Sequence, residues 1–222
     1  MDQATTETRS IVSQAWDTTY KTVSGVSMVE AIGGIATLIL GIIGLTGVLP
    51  LILAACAAIA FGVVLAIQGS GIAAHYKDMT GTATASGEKT EVVGGSGAEI
   101  LGGVAGGVLG LLALIGITPL ILLGCTSIVF GASLLLGSAS AMSVKNYLDS
   151  TSPGPHGSEN LLLESAAGAE VLVGIAAVTL GILALVGIAP MTLILVALLS
   201  LGAVGMLAGS LIGGTMLSAL HG

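Results

Sequence analysis

The sequence predicts an all-α integral membrane protein whose six transmembrane helices form three tandem helical hairpins with a pseudo-threefold internal repeat. Three observations carry that prediction. Of 222 residues, 54% are hydrophobic and only 8% charged, with a mean hydropathy of +1.08; an ordinary soluble domain carries about a quarter charged residues. The chain matches itself in three registers. Its charged residues are confined to an N-terminal segment, two linkers and the helix ends that adjoin them.

The repeats begin near Ser27, Ser96 and Ala167, and their anchor residues keep their spacing. Glu30, Glu99 and Glu170 each precede by twenty positions a proline, Pro50, Pro119 and Pro190. Glycines fall between them at matching places: Gly34, Gly103 and Gly174, then Gly41, Gly110 and Gly181, then Gly47, Gly116 and Gly187. Twelve residues after each proline comes another set, Gly62, Gly131 and Gly202.

Each copy holds an apolar stretch of roughly 45 residues, about twice the 20 that one helical crossing needs. It therefore reads as two crossings. The break is G-x-x-P, with Gly47 and Pro50, Gly116 and Pro119, and Gly187 and Pro190 as hairpin-turn residues. Glycine suits the left-handed residue that ends a helix, and proline suits the first turn of the next. Alternating strands of the kind a membrane barrel requires are absent from the sequence pattern. The predicted crossings are 28–47, 50–74, 98–116, 119–143, 169–187 and 190–216.

The organisation that follows is an N-terminal segment over 1–26, hairpin repeats over 27–74, 96–144 and 167–222, and linkers over 75–95 and 145–166. The linkers are rich in Gly, Ser, Thr and Pro and read as flexible connections. The N-terminal segment has no basic stretch followed by an apolar one, so no cleavable signal is expected; a short interfacial helix and a disordered tail are both open for it. Two crossings separate each polar segment from the next, so both termini and both linkers share one side. Arg9, Lys21, Lys77, Lys89 and Lys145 assign that side to the cytoplasm. Trp16, Tyr20, Tyr76 and Tyr147 cluster at the same interface. The expected location is the inner (cytoplasmic) membrane, multi-pass, with N and C termini cytoplasmic.

Composition also excludes functions. Five Lys and Arg in the whole chain cannot build a phosphate-neutralising stripe, so no nucleic-acid partner is expected. Cys56 and Cys125 lie in apolar runs, six residues after their prolines, and Val196 takes that place in the third copy; a metal site is not expected. His75, His156 and His221 show no helical pairing. No catalytic triad, zinc-protease, Walker or dinucleotide-binding arrangement is present, so the chain reads as non-enzymatic, without cofactor. Its partners are the lipid bilayer and, as open alternatives, further copies of itself or subunits of a membrane complex.

The candidate ligand or ion residues are Glu30, Glu99 and Glu170, because a carboxylate on an apolar helix is costly to desolvate. Two readings stay open. Ser27-x-x-Glu30 and Ser96-x-x-Glu99 have the form of a capping box, in which glutamate returns to the cap N–H. Glu170 persists where Ala167 replaces the serine, which favours a shared ion, proton or ligand site. Gly34, Gly41, Gly103, Gly110, Gly174 and Gly181 lie with each glutamate on one helix face, a small-residue stripe for close helix packing. The sharper form of this reading has the odd-numbered helices converging on the pseudo-threefold axis, with the glutamates ringing its cytoplasmic mouth.

The pattern G-I-x-x-L-x-L-G-I-x-x-L-x-G-[IV]-x-P is approximated from Gly34 to Pro50, Gly103 to Pro119 and Gly174 to Pro190, each followed by a Leu-rich crossing. It resembles the HdeD-type acid-resistance membrane proteins, six-helix proteins built from short repeats. The resemblance implies a non-enzymatic role in acid or stress tolerance. A small cation or proton channel or carrier is the alternative from the residues themselves, and a scaffold subunit binding lipid or quinone is another.

This topology has a direct check. Single-cysteine labels at positions 84 and 155 should react with an impermeant reagent from the same side as tags on both termini, and labels at 48, 117 and 188 from the other. A tip label on the linker side would overturn the hairpin reading.

Overall fold

The computed structural model describes residues 28–79, 88–151 and 159–219, and side chains within 28–70, 97–139 and 167–210. The expectations for Arg9, Trp16, Tyr20, Lys21, His156 and His221 lie outside the described residues. Those for the side chains of His75, Tyr76, Lys77, Lys89, Lys145 and Tyr147 do so too. Six helices account for nearly all of the described chain: α1 from Met28 to Leu45, α2 Pro50–Met79, α3 Glu88–Leu114, α4 Pro119–Thr151, α5 Glu159–Val186 and α6 Pro190–Ala219. All six are long and apolar enough to cross a membrane. Helices suit such a solvent because each one satisfies its own backbone hydrogen bonds. Buried hydroxyls follow the same economy: Thr37 donates to the Gly33 carbonyl at 2.8 Å, Ser127 to Leu123 at 3.1 Å and Ser133 to Val129 at 2.8 Å.

Short turns join α1 to α2, α3 to α4 and α5 to α6. At the second, Gly116 sits at φ 94°; its N–H donates to the Ala113 carbonyl at 3.1 Å, and that of Ile117 to Leu112 at 3.2 Å. Gly187 and Ile188 repeat this pair of bonds on Ala184 and Leu183, and Gly47 donates to Gly44. Such pairing consumes carbonyls that the helix end would otherwise leave orphaned. The residue before each proline is a surprise: Leu49, Thr118 and Ala189 have φ of 41°, 35° and 40°. A following proline disfavours the right-handed helical region for that residue. Its carbonyl nevertheless accepts the first bonds of the next helix, from Leu53, Leu122 and Leu193 respectively. Leucine, threonine and alanine at these positions do not announce a left-handed backbone.

Glycine pairs set how the helices pack. A Cβ on Gly34 in α1 would lie 2.8 Å from the Gly202 carbonyl oxygen of α6. One on Gly103 in α3 would lie 2.6 Å from that of Gly62 in α2, and one on Gly174 in α5 would lie 2.9 Å from that of Gly131 in α4. Gly41 meets Leu199, Gly110 meets Ala58 and Gly181 meets Gly124 on the same three helix pairs. Lipid supplies no hydrophobic drive between helices, so such backbone proximity is what dispersion and packing can act on.

The expectation that the odd-numbered helices meet at the centre is corrected. α2, α4 and α6 touch one another pairwise, whereas α3 and α5 do not touch. The buried core comes mostly from the even helices: Ala54, Leu123 and Ile194 four residues after the prolines, Phe61, Phe130 and Leu201 eleven after. Phe61 and Phe130 meet edge to face, with ring centroids 5.2 Å apart at 71°. The glycine stripe of each odd helix is turned toward an even helix, so its isoleucines and leucines, such as Ile32, Ile39 and Leu101, face outward. An exposed shell of this kind suits acyl chains.

A second correction concerns the linkers. α2 continues to Met79 and α4 to Thr151, while α3 starts at Glu88 and α5 at Glu159, so much of what read as flexible connection is helical. A helix once nucleated by packing extends at little cost per residue, which composition alone understates.

Two substitutions separate turn from packing. Gly116→Ala should cost about 1–2 kcal/mol through its left-handed backbone, and Gly103→Val about 3 kcal/mol through overpacking, both read as detergent-solubilised unfolding. Gly97→Ala, with nothing within 4 Å of the new Cβ, should show neither loss. Equal losses at Gly97 and Gly103 would refute the close-contact account.

Candidate functional site

The capping reading fails for two of the three glutamates. Ser96 lies inside α3, whose first residue is Glu88, and Glu99 stands eleven residues beyond that start. Glu170 stands eleven residues beyond Glu159, the start of α5. Neither carboxylate is near a helix N-terminus, so neither a capping box nor the helix dipole explains it. Ser27 lies outside the described residues.

The structure brings the three glutamates into one neighbourhood. Each stands seventeen residues before its turn glycine, Gly47, Gly116 or Gly187, which is about 26 Å along a helix. The carboxylates of Glu30 and Glu99 lie within electrostatic reach of Glu170, and Glu99 within reach of Glu30. Glu30 is only 3% exposed and Glu99 2%, whereas Glu170 is half-buried.

Among the residues whose side chains are described, no positive side chain balances them. Across the segments 28–70, 97–139 and 167–210, where side chains are described, the sequence contains no Lys, Arg or His and no acidic residue other than these three. Oε2 of Glu99 is buried without a hydrogen-bond partner. A carboxylate withdrawn from water and left unpaired carries a penalty of several kcal/mol. Among the described residues, no three His, Cys, Asp or Glu side chains converge closely enough to hold a metal ion. Cys56 and Cys125 are free thiols, each partly buried.

The neighbours of the carboxylates differ from copy to copy. Glu99 packs on Gly137 of α4, where an added Cβ would fall 2.7 Å from the Glu99 Cδ. The matching place, eighteen residues after the proline, is Gln68 in the first copy and Ala208 in the third. A sequence signal for this difference existed, but it became legible only once Glu99 and Gly137 were seen to touch.

A second feature is an apolar groove of about 260 Å³ between α2 and α3, floored by Gly62, Gly103 and Gly107 and walled by Ile59, Val63 and Val108. It exists because Gly107 stands where the other copies carry Leu38 and Val178.

At a pH that ionises Glu99, removing its buried charge should stabilise the fold. Glu99→Gln should raise unfolding stability by about 1–3 kcal/mol, a shift of about 2–4 °C per kcal/mol for a chain of this size. A lower melting midpoint would show that the charge is compensated in the resting protein.

No family model, curated protein or solved structure matches this chain.

Proposed function

We propose that this chain is a non-enzymatic membrane protein that takes up and releases protons at Glu30, Glu99 and Glu170, as a small proton channel or carrier. The observation that carries the reading is the carboxylate cluster, two of its members buried, with no countercharge among the described side chains. A proton is the smallest charge that neutralises a carboxylate withdrawn from water.

The architecture behind this reading is three hairpins around a pseudo-threefold axis. Its support is the recurrence of one glycine contact, Gly34 on Gly202, Gly103 on Gly62 and Gly174 on Gly131. In each, the first helix of one copy meets the second helix of the preceding copy, and the first copy closes on the third. With the turns at one face of a hydrocarbon core about 30 Å thick, the glutamates lie just inside the opposite face. The Lys and Arg distribution makes that face cytoplasmic in the inner membrane. The HdeD-type resemblance supplies the physiological setting, tolerance of acid or other stress, in which proton handling inside the membrane is useful. The groove between α2 and α3 favours a second reading, a scaffold that seats a lipid or quinone chain.

The test is proton flux into liposomes reconstituted with the purified protein and loaded with a pH-sensitive dye. The Glu30→Gln, Glu99→Gln, Glu170→Gln triple variant should lose flux at least tenfold while inserting normally. Equal flux from the triple variant would sink the proton reading and leave the scaffold reading standing.

A further inference from the structure

The three carboxylates share a register but not a setting. Glu170 is half-buried, whereas Glu30 is 3% and Glu99 2% exposed. Between those two, Glu99 alone is known to have a buried oxygen without a partner, and it rests on a helix surface cleared by a glycine. A side chain at 137 would collide with the carboxylate itself, the far end of the Glu99 side chain, and would force it out of this position. In the other two copies the matching residue has a side chain, Gln68 or Ala208. Among the residues whose side chains are described, the titratable groups near Glu99 are Glu30 from α1 and Glu170 from α5, and α2, α4 and α6 contribute no charged side chain within 50–70, 119–139 and 190–210.

From this geometry we infer that the cluster is functionally asymmetric: Glu99 is the residue that holds the proton, and Gly137 is the positioning residue that admits its carboxylate to the core. The inference rests on the proton-uptake reading. It assigns one principal binding oxygen, Glu99 Oε2, within a cluster that repeats threefold in sequence. A proton that reaches the cluster is retained at Glu99, where the unpartnered buried oxygen gains most from it.

Infrared difference spectroscopy of the protein in lipid, recorded as pH is varied, reads the carboxylic C=O stretch of buried protonated carboxyl groups directly. Glu99→Gln should remove most of that band, while Glu30→Gln and Glu170→Gln should each leave most of it. Gly137→Ala should move the band toward the position of a solvated carboxyl and lower proton flux at least tenfold, with helix content and elution volume unchanged. Ala208→Gly in the Gly137→Ala background, by clearing the equivalent surface for Glu170, should return part of the buried band.

Equal loss of the band from each of the three single glutamine variants would overturn the asymmetry, and that comparison stands even if Gly137→Ala fails to fold. If the triple glutamine variant retains both band and flux, it is the proton reading that falls. If the triple variant loses both but the singles are equivalent, only the asymmetry falls.

Discussion

Close approach of helix backbones at glycine pairs is the constraint from which the rest of this structure follows. Between helices in lipid there is no gain from withdrawing apolar surface from water, because the surroundings are already apolar. Association depends on dispersion and on how many atoms reach contact distance, and each contributes only a few tenths of a kcal/mol at most. Glycine at 34, 103 and 174 removes the side chain that would hold two helices apart. The facing glycine at 202, 62 or 131 removes the other. Once those surfaces are committed to a neighbouring helix, the larger aliphatic residues of α1, α3 and α5 have nowhere to go but outward, and α2, α4 and α6 are left to fill the centre.

That division also decides what happens to the glutamates. Each shares a face with a packing glycine four residues on, so it is carried into the bundle with that face. Glu30 and Glu99 are buried as a consequence of where Gly34 and Gly103 must go. A carboxylate in such a place works against stability, and its retention in three copies points to use. The same logic explains why the site is uneven. The glycine contacts recur, but the position that meets Glu99 is not held to the repeat: Gly137 stands there, and the matching positions carry Gln68 and Ala208.

Much of this was legible beforehand, and the reasons are physical. The turns could be read because glycine and proline have few conformations to choose between, and Gly47, Gly116 and Gly187 do adopt the left-handed backbone expected of them. The six long apolar helices could be read because a run of apolar residues in lipid satisfies its backbone as a helix. The capping reading misled because S-x-x-E is a local pattern that says nothing about whether a helix has already begun. α3 had begun at Glu88 and α5 at Glu159, in stretches whose Gly and Ser content suggested a flexible chain.

What the sequence determined by itself is therefore the periodic part: the apolar crossings, the turn glycines and prolines, and the one carboxylate per copy at a fixed depth. These depend on covalent geometry and on the solvent, both of which act on each residue where it stands. What only the tertiary structure decided is which helices lie inside, which glycine meets which, and that Glu99 rests on Gly137 with an oxygen left unpaired. Those are properties of pairs far apart in the chain. A stripe of small residues specifies that a close neighbour exists, but its identity is settled only when all six helices compete for the same space.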